Sequence, residues 1–420
     1  MTTQSIGRDA GTLAIRNGRI VDPVAGTITE GGMLIRNGVI EAVGDIEHGL
    51  FRRSDVIADA RGALIAPGLV DTGVFAIDPE AATAGGVTTS LLMPDQSPPL
   101  DNPALIRQAA AFPRDAVNIV PFAAATRGLE GREMGEIGLM QRAGAVAVST
   151  GRSWIADSGL MHRLMAYASA FDLVVVTHAE DGGLAQGAVA TDGEMASRLG
   201  LASAPAIAEA MAVARDIALA EETGARLHFR QLSTAPAFDL VRAAKRRGVK
   251  VTCGVSPAHL LLSDTAIGPF KTFARLSPPL RSEDNRKATI EAVRDGTVDL
   301  LCSAHDPRGP EAKRLPYAAA EPGMAGAETL LTLSLVLVKD GVISLPRLFE
   351  LLSTAPAKLF GIDAGRVEPG AAADLILVDE DQPWKIVAEA LAGRAGNTPF
   401  DGLPVQGRVL KTIKGGQPLG

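Results

Sequence analysis

A chain of 420 residues, 46% hydrophobic and 21% charged, has the composition of a folded globular protein and excludes a low-complexity or disordered one. Its formal net charge of -7, with no basic run, removes the electrostatic footprint of a nucleic-acid binder. The two cysteines, Cys253 and Cys302, both sit in apolar runs, which excludes a disulfide scaffold and points to reduced core thiols.

Residues 1–9 lack the charged, apolar and small-residue succession of a secretory signal. No apolar run reaches the ~20 residues that cross a bilayer. A soluble, cytoplasmic protein is expected. From Leu13 the run LAIRNGRIVDP alternates apolar and polar residues, and MLIRNGVIEAVG does so from Met33; each contains an Asn-Gly pair, which predicts a hairpin turn at both. Eight short apolar runs follow, at 69–74, 87–93, 118–124, 145–149, 173–178, 226–232, 249–255 and 298–304. Most are separated by helix-patterned stretches such as 161–171, 206–222, 235–247 and 283–295. Eight β/α alternations with near-continuous apolar strands predict an α/β fold, a closed (β/α)8 barrel of TIM type, over residues 67–363. Strand alternation returns in ADLILVDED (373–381) and VQGRVLKTIKGG (405–416). Residues 1–66 and 364–420 are therefore expected to build one small β-sandwich domain from both chain ends.

In such a barrel chemistry sits at the C-terminal ends of the strands. His178 closes the run LVVVT and is followed by Glu180 and Asp181. It suits a metal ligand as well as a histidine bonded to one of those carboxylates. His305 and Asp306 follow the run VDLLCSA and can be read as ligands, as acid/base groups, or as residues that order their loop. His228, inside RLHFRQL, and His259, at the start of an apolar run, read as packed histidines; His48 and His162 carry no role. A dinuclear hydrolytic centre needs several histidine and carboxylate ligands round a position open to water, and a carboxylate base beside it. The first strand ends in Asp71-Thr72-Gly73-Val74-Phe75, the fourth leads into Thr150-Gly151, and the sixth offers Gln231. Too few ligands for two metals stand at these ends.

The motifs PGLVD (67–71), AGGVTT (84–89), MPDQSPPLDN (93–102), HAED (178–181), SPPLR (277–281), GAET (326–329), STAPAKLFG (353–361), GRVEPGAAADLILVD (365–379) and NTPFDG (397–402), in this order, resemble the type I dihydroorotases of the amidohydrolase superfamily. The resemblance spans nearly the whole chain. It implies a ring-closing step of pyrimidine synthesis, the interconversion of carbamoyl aspartate and dihydroorotate by a metal-bound hydroxide. The positions of the family's functional residues have changed. The His-x-His pair is matched by Gly73 and Phe75, and the substrate-binding arginine by Ile77. The metal-binding aspartate falls at Thr150 or Gly151, the second lone histidine at Gln231, and the catalytic aspartate at Ala304. The substrate-binding asparagines are matched by Asp95 and Ser277. Of the expected ligands only His178 is retained.

On this reading the chain is an inactive homologue with no cofactor. It resembles the noncatalytic dihydroorotase-like chains that support assembly of aspartate transcarbamoylase, so the partner implied is the transcarbamoylase catalytic chain, in a hetero-oligomer or homo-oligomer. Two other readings stay open. One is an active cyclic-amide hydrolase with a mononuclear zinc or metal-free site rebuilt from His178, His305 and Asp306. The other is an effector-binding protein that uses Arg152, Arg275 and Arg308 near the barrel mouth.

Overall fold

The computed structural model describes residues 12–46 and 56–419, so His48 and the stretch Met1–Asp9 lie outside the described residues. The N-terminal part supplies β1 (Leu13–Asp22), β2 (Thr27–Arg36), β3 (Val39–Gly44), β4 (Val56–Asp59) and β5 (Leu64–Pro67). The C-terminal part adds three strands, described below, to the same sheet. Asn37-Gly38 makes the tight β2–β3 turn, both residues having positive φ (52° and 76°), as a two-residue hairpin of this twist requires.

Asn17-Gly18 does not make a turn. It forms a bulge inside β1, with Asn17 at φ 57°, and the chain reverses later, where Asp22 Oδ1 accepts from the backbone N–H of Val24 and Ala25. The bulge is where β1 changes partner: Leu13–Arg16 pair with β4, whereas Arg19-Ile20 pair with β5. A Cβ at 18 would stand 2.5 Å from Ile65 Cδ1, so a larger residue there would force Ile65 to move.

The barrel follows. Its strands are β6 (Leu69–Val74), β7 (Val87–Leu92), β8 (Asn118–Pro121) continued by β9 (Ala123–Ala124), β10 (Ala147–Ser149) and β11 (Val174–Thr177). After a short parallel pair, β12 (Ala190–Thr191) and β13 (Ser203–Ala204), come β14 (Arg226–Phe229), β15 (Val251–Val255) and β16 (Leu300–Leu301). Neighbours are parallel throughout. Around the barrel, β8 and β9 together serve as the third strand, so the eight-stranded α/β architecture stands. The last strand is shorter than its apolar run suggested. Ser303 leaves the ladder to donate from N–H (2.8 Å) and Oγ to the buried Asp71 carboxylate, and Phe75 N–H donates to His305 C=O at 2.9 Å. These bonds join the first strand to the eighth.

Helices such as Pro103–Ala110, Ser158–Ser169, Ile207–Thr223, Ala235–Arg246 and Glu283–Arg294 pack outside. Asn102 and Asp157 cap the first two by accepting from backbone N–H groups of the first turn. Apolar residues between strands and helices form the main core, and a second cluster fills the barrel interior. Phe360 stands in that interior against Phe122 (ring centroids 4.9 Å apart) and His228 (5.9 Å). The start of β14 is tied to the same segment through Arg226, which donates to Leu359 C=O, so Phe360 plugs the N-terminal end of the barrel. Function is left to the other end.

The chain closes with β17 (Leu375–Lys385), β18 (Pro404–Lys414) and β19 (Gln417–Leu419). They extend the N-terminal sheet in the order β19-β18-β17-β5-β1-β2-β3, with β4 beside β1. One apolar cluster joins Ile35 and Ile40 to Val367, Leu375 and Ile413, so the sheet folds over its own core. The Asn37-Gly38 turn packs on Gly415-Gly416, and Gly38 C=O accepts from Ala373 N–H. No helix among the described residues is long and apolar enough to cross a membrane. Cys253 and Cys302 are free and buried, and burial raises both thiols, Cys302 to about 12.

Helix Ile207–Thr223 buries Asp216, whose Oδ1 accepts twice from Arg215, while the Arg215 guanidinium lies 3.9 Å over the Trp154 ring. Burial pushes the Asp216 carboxyl up to about 6, although Arg215 opposes the shift. A raised acid holds its proton more tightly folded than unfolded, so its contribution to stability grows as pH falls from 7 through 6 and levels off below 4. Chemical denaturation across this range should show wild type gaining on Asp216→Asn as the pH is lowered; a constant difference would contradict the assignment.

Candidate functional site

Side chains 226, 228 and 230 alternate to one face of the run that contains β14, as strand geometry dictates. His228 belongs to the interior near Phe360, bonded to Thr252 Oγ1, and burial pulls it down to about 3, so it is neutral. Two residues on, Arg230 reaches the mouth. It is only 3% exposed. Its stem lies against Gly73, where an added Cβ would stand 3.4 Å from Arg230 Cγ and Cδ. Its guanidinium donates to His178 Nδ1 at 3.2 Å and to Gln231 Oε1 at 3.3 Å, and stands 5.1 Å from the Phe75 ring centre. Burial lowers its pKa, which the charges of Asp95 and Asp306 partly offset.

The hydrogen bonds fix the histidine tautomers. Arginine can only donate, so His178 Nδ1 accepts and its Nε2 carries the proton, 3.6 Å from Glu180 Oε2. His178 sits at the end of β11 with its backbone N–H donating to Thr150 Oγ1. His259 donates from Nε2 to Pro278 C=O and accepts on Nδ1 from Gln231 Nε2 and Ser256 Oγ. Burial pulls His259 down to about 4. Gln231 therefore passes hydrogen bonding from Arg230 to His259.

Above Arg230 lies a second layer. Arg152 stacks 3.7 Å over Phe75 and pairs with Asp306 Oδ2 at 2.5 Å; its backbone N–H donates to Asp95 Oδ1 at 2.9 Å. Arg308 also bonds Asp306 (3.0 Å) and pairs with Glu321 (2.6 Å). Gly151, at φ 72°, leaves the space that Asp95 fills, since a Cβ there would stand 2.7 Å from Asp95 Oδ1. Ala304 and Ser277 line what remains: a cavity of about 20 Å³ bounded also by Phe75, Arg152, Arg230 and Asp306. That volume holds a single water. Ile77 packs at the edge of the main core.

His305 does not join this group. Its Nδ1 accepts from the backbone N–H of Gly326 and Ala327, and its Nε2 faces Asp78 at 3.5 Å. Asp78 in turn caps helix Pro79–Gly85 and accepts from Arg394 N–H. Residues 305 and 306 point to different partners, so His178, His305 and Asp306 are not brought together. Of the three mouth arginines singled out from the sequence, Arg152 and Arg308 share Asp306, and Arg275 donates to Ala320 C=O. Sequence reasoning missed Arg230, although its spacing from His228 on one strand face was visible. It missed Arg281 as well. That side chain is 2% exposed and bonds Ser233, Thr191, Glu180 and Glu209. Glu209 also accepts from the N–H and hydroxyl groups of Ser233 and Thr234. Despite burial, His178 and Arg281 hold Glu180 at about 2.

The residues at the mouth do not fit a metal centre. Among the described residues no three His, Cys, Asp or Glu side chains are grouped to hold an ion. His178 gives its Nδ1 lone pair to the Arg230 guanidinium, whose charge repels any cation placed there.

Residues 62–236 match the family model described as dihydro-orotase-like. The chain is 37% identical to a dihydroorotase of Geobacter metallireducens over 96% of this chain and 98% of that protein. It is 38% identical to a dihydroorotase-like protein of Pseudomonas aeruginosa, again over 96% and 98%. Among solved structures it resembles the L-hydantoinase of Arthrobacter aurescens, with a TM-score of 0.86 and 27% identity over 97% and 96% of the two chains.

Removing one partner of a buried ionic network leaves the others desolvated and unpaired, at a cost of about 3–5 kcal/mol. Urea unfolding of Arg281→Met should show a loss of that order, and a variant as stable as wild type would remove the network's structural role.

Proposed function

Because this chain belongs to the dihydroorotase-like family of amidohydrolases and closes its barrel mouth with an arginine, we propose that it is a catalytically inactive member that supports the assembly of aspartate transcarbamoylase. The observation that carries the inactive reading is the Arg230 guanidinium on His178 Nδ1. A metal-bound hydroxide needs ligands with free lone pairs and an open coordination position. Gly73, Phe75, Thr150, Gly151, Gln231 and Ala304 stand at the family's other ligand and catalytic positions, and none offers a histidine nitrogen or a carboxylate. Arg152 and Arg308 already pair with Asp95, Asp306 and Glu321, and the Arg230 charge stands beside them, so an added divalent cation would find its charge unopposed. The cavity of about 20 Å³ compares with about 300–1,000 Å³ for small-molecule sites. No observation favours a hydrolytic site rebuilt around His178, His305 and Asp306, since His305 is turned to Asp78 and Asp306 is held by two arginines.

A partner role asks for a retained scaffold and a complementary surface, and asks nothing of the mouth. The fold meets the first demand: closure of the barrel, the plug at its base and the two-ended sheet are all intact. The transcarbamoylase as partner rests on the resemblance to noncatalytic companions in pyrimidine synthesis. Mixing the purified chain with the transcarbamoylase catalytic chain of the same organism tests both parts. A larger complex with raised transcarbamoylase activity and no dihydroorotate turnover is expected. Turnover by this chain alone would overturn the inactive reading, and two separate, unaltered elution peaks would overturn the partner.

A further inference from the structure

Arg152 pairs with Asp95 and Asp306 and Arg308 with Asp306 and Glu321, whereas Arg230, alone of these three fully buried, lines the same small cavity as Arg152 and Asp306. Asp95 and Asp306 are themselves buried: their side chains are 11% and 8% exposed. One oxygen of Asp95, Oδ2, has no hydrogen-bond partner, and neither has Arg230 Nε. Burial pushes Asp95 toward its protonated form, and the neighbouring charges of Arg152 and Arg230 oppose that. A carboxylate in this setting stays ionised only while a cation is near.

We infer that Arg230 is the resident cation of the barrel mouth, a side chain that takes the electrostatic and positioning work a metal ion would do at the ends of these strands. Three observations carry the assignment. The stem of Arg230 runs against Gly73 on the first strand, its Cγ and Cδ at contact distance from where a Cβ would stand, and the head reaches the cavity at the mouth. The head bonds His178 from β11 and Gln231 from the end of its own strand, and through Gln231 it is linked to His259 and Ser256 beyond β15. It lines one small cavity with Arg152 and with Asp306, after β16, and Arg152 in turn holds Asp95, after β7. One group thus ties together strand ends from around the barrel, as a bound ion does. The assignment depends on the filled mouth and is independent of any partner.

A double-mutant cycle between Arg230 and Asp95 tests it, read by thermal unfolding of the full chain. Arg230→Met keeps most of the side-chain length and removes the charge; its midpoint should fall by on the order of 5 °C, because His178 and Gln231 lose their donor and the buried carboxylates are left with Arg152 and Arg308 alone. Asp95→Asn in the Arg230→Met background should recover part of that fall, although Asp95→Asn alone lowers the midpoint. Arg230→Lys, which keeps a cation without the fork of donors, should lie between wild type and Arg230→Met, and it serves if Arg230→Met does not fold. Additive effects of the two substitutions, or an Arg230→Met midpoint equal to wild type, would overturn the inference. Were Arg230→Met unfolded, an Arg230→Lys variant equal to wild type together with a destabilised Asp95→Asn would overturn it as well.

Discussion

A guanidinium buried at the centre of the barrel mouth sets the terms for everything around it. Withdrawing such a charge from water costs several kcal/mol, so it persists only where donors find acceptors and the charge finds carboxylates. Arg230 has His178 Nδ1 and Gln231 Oε1 as acceptors, and the ion pairs of Arg152 with Asp95 and Asp306 stand beside it. The neighbouring residues suit it. Gly73 lies against the stem, Phe75 gives an aromatic face to Arg152 and to Arg230, and Gln231 accepts from arginine while donating onward to His259.

The scaffold does not depend on that interior. The barrel is closed by Asp71 and Ser303, filled by apolar side chains and Phe360, and flanked by a sheet that joins both chain ends. Strand-end residues point into the mouth, whereas core layers lie below them, and this separation lets a TIM-type barrel alter its mouth without losing its fold. The Arg281 network is the link between the two. It holds Glu180 and Glu209, and through Glu180 it steadies His178.

Sequence periodicity carried most of the fold. Strands buried on both faces and helices with one apolar face have distinct patterns, so the barrel and the two-ended β-domain were legible. Local chemistry was less so. Asn17-Gly18 and Asn37-Gly38 read alike, yet the first is a bulge, because β4 and β5 lie in succession on the same side of β1 and only tertiary pairing reveals this. The last strand runs short because Ser303 finds an acceptor on Asp71, far away in sequence.

At the site, residue types could be read position by position, since a glycine or phenylalanine cannot hold a metal whatever surrounds it. The contacts around them could not. Arg230 was passed over because a charged residue in an apolar strand gains meaning only when its countercharges are located, and Asp95 and Asp306 come from loops after other strands. His305 and Asp306 looked like a pair, but their partners, Asp78 and Arg152, are remote in the chain.

If Arg230 holds the place of a metal centre, the full chain purified after growth with excess zinc and without chelators carries metal far below one equivalent by elemental analysis. One or two tightly held equivalents at the barrel mouth would rule that role out.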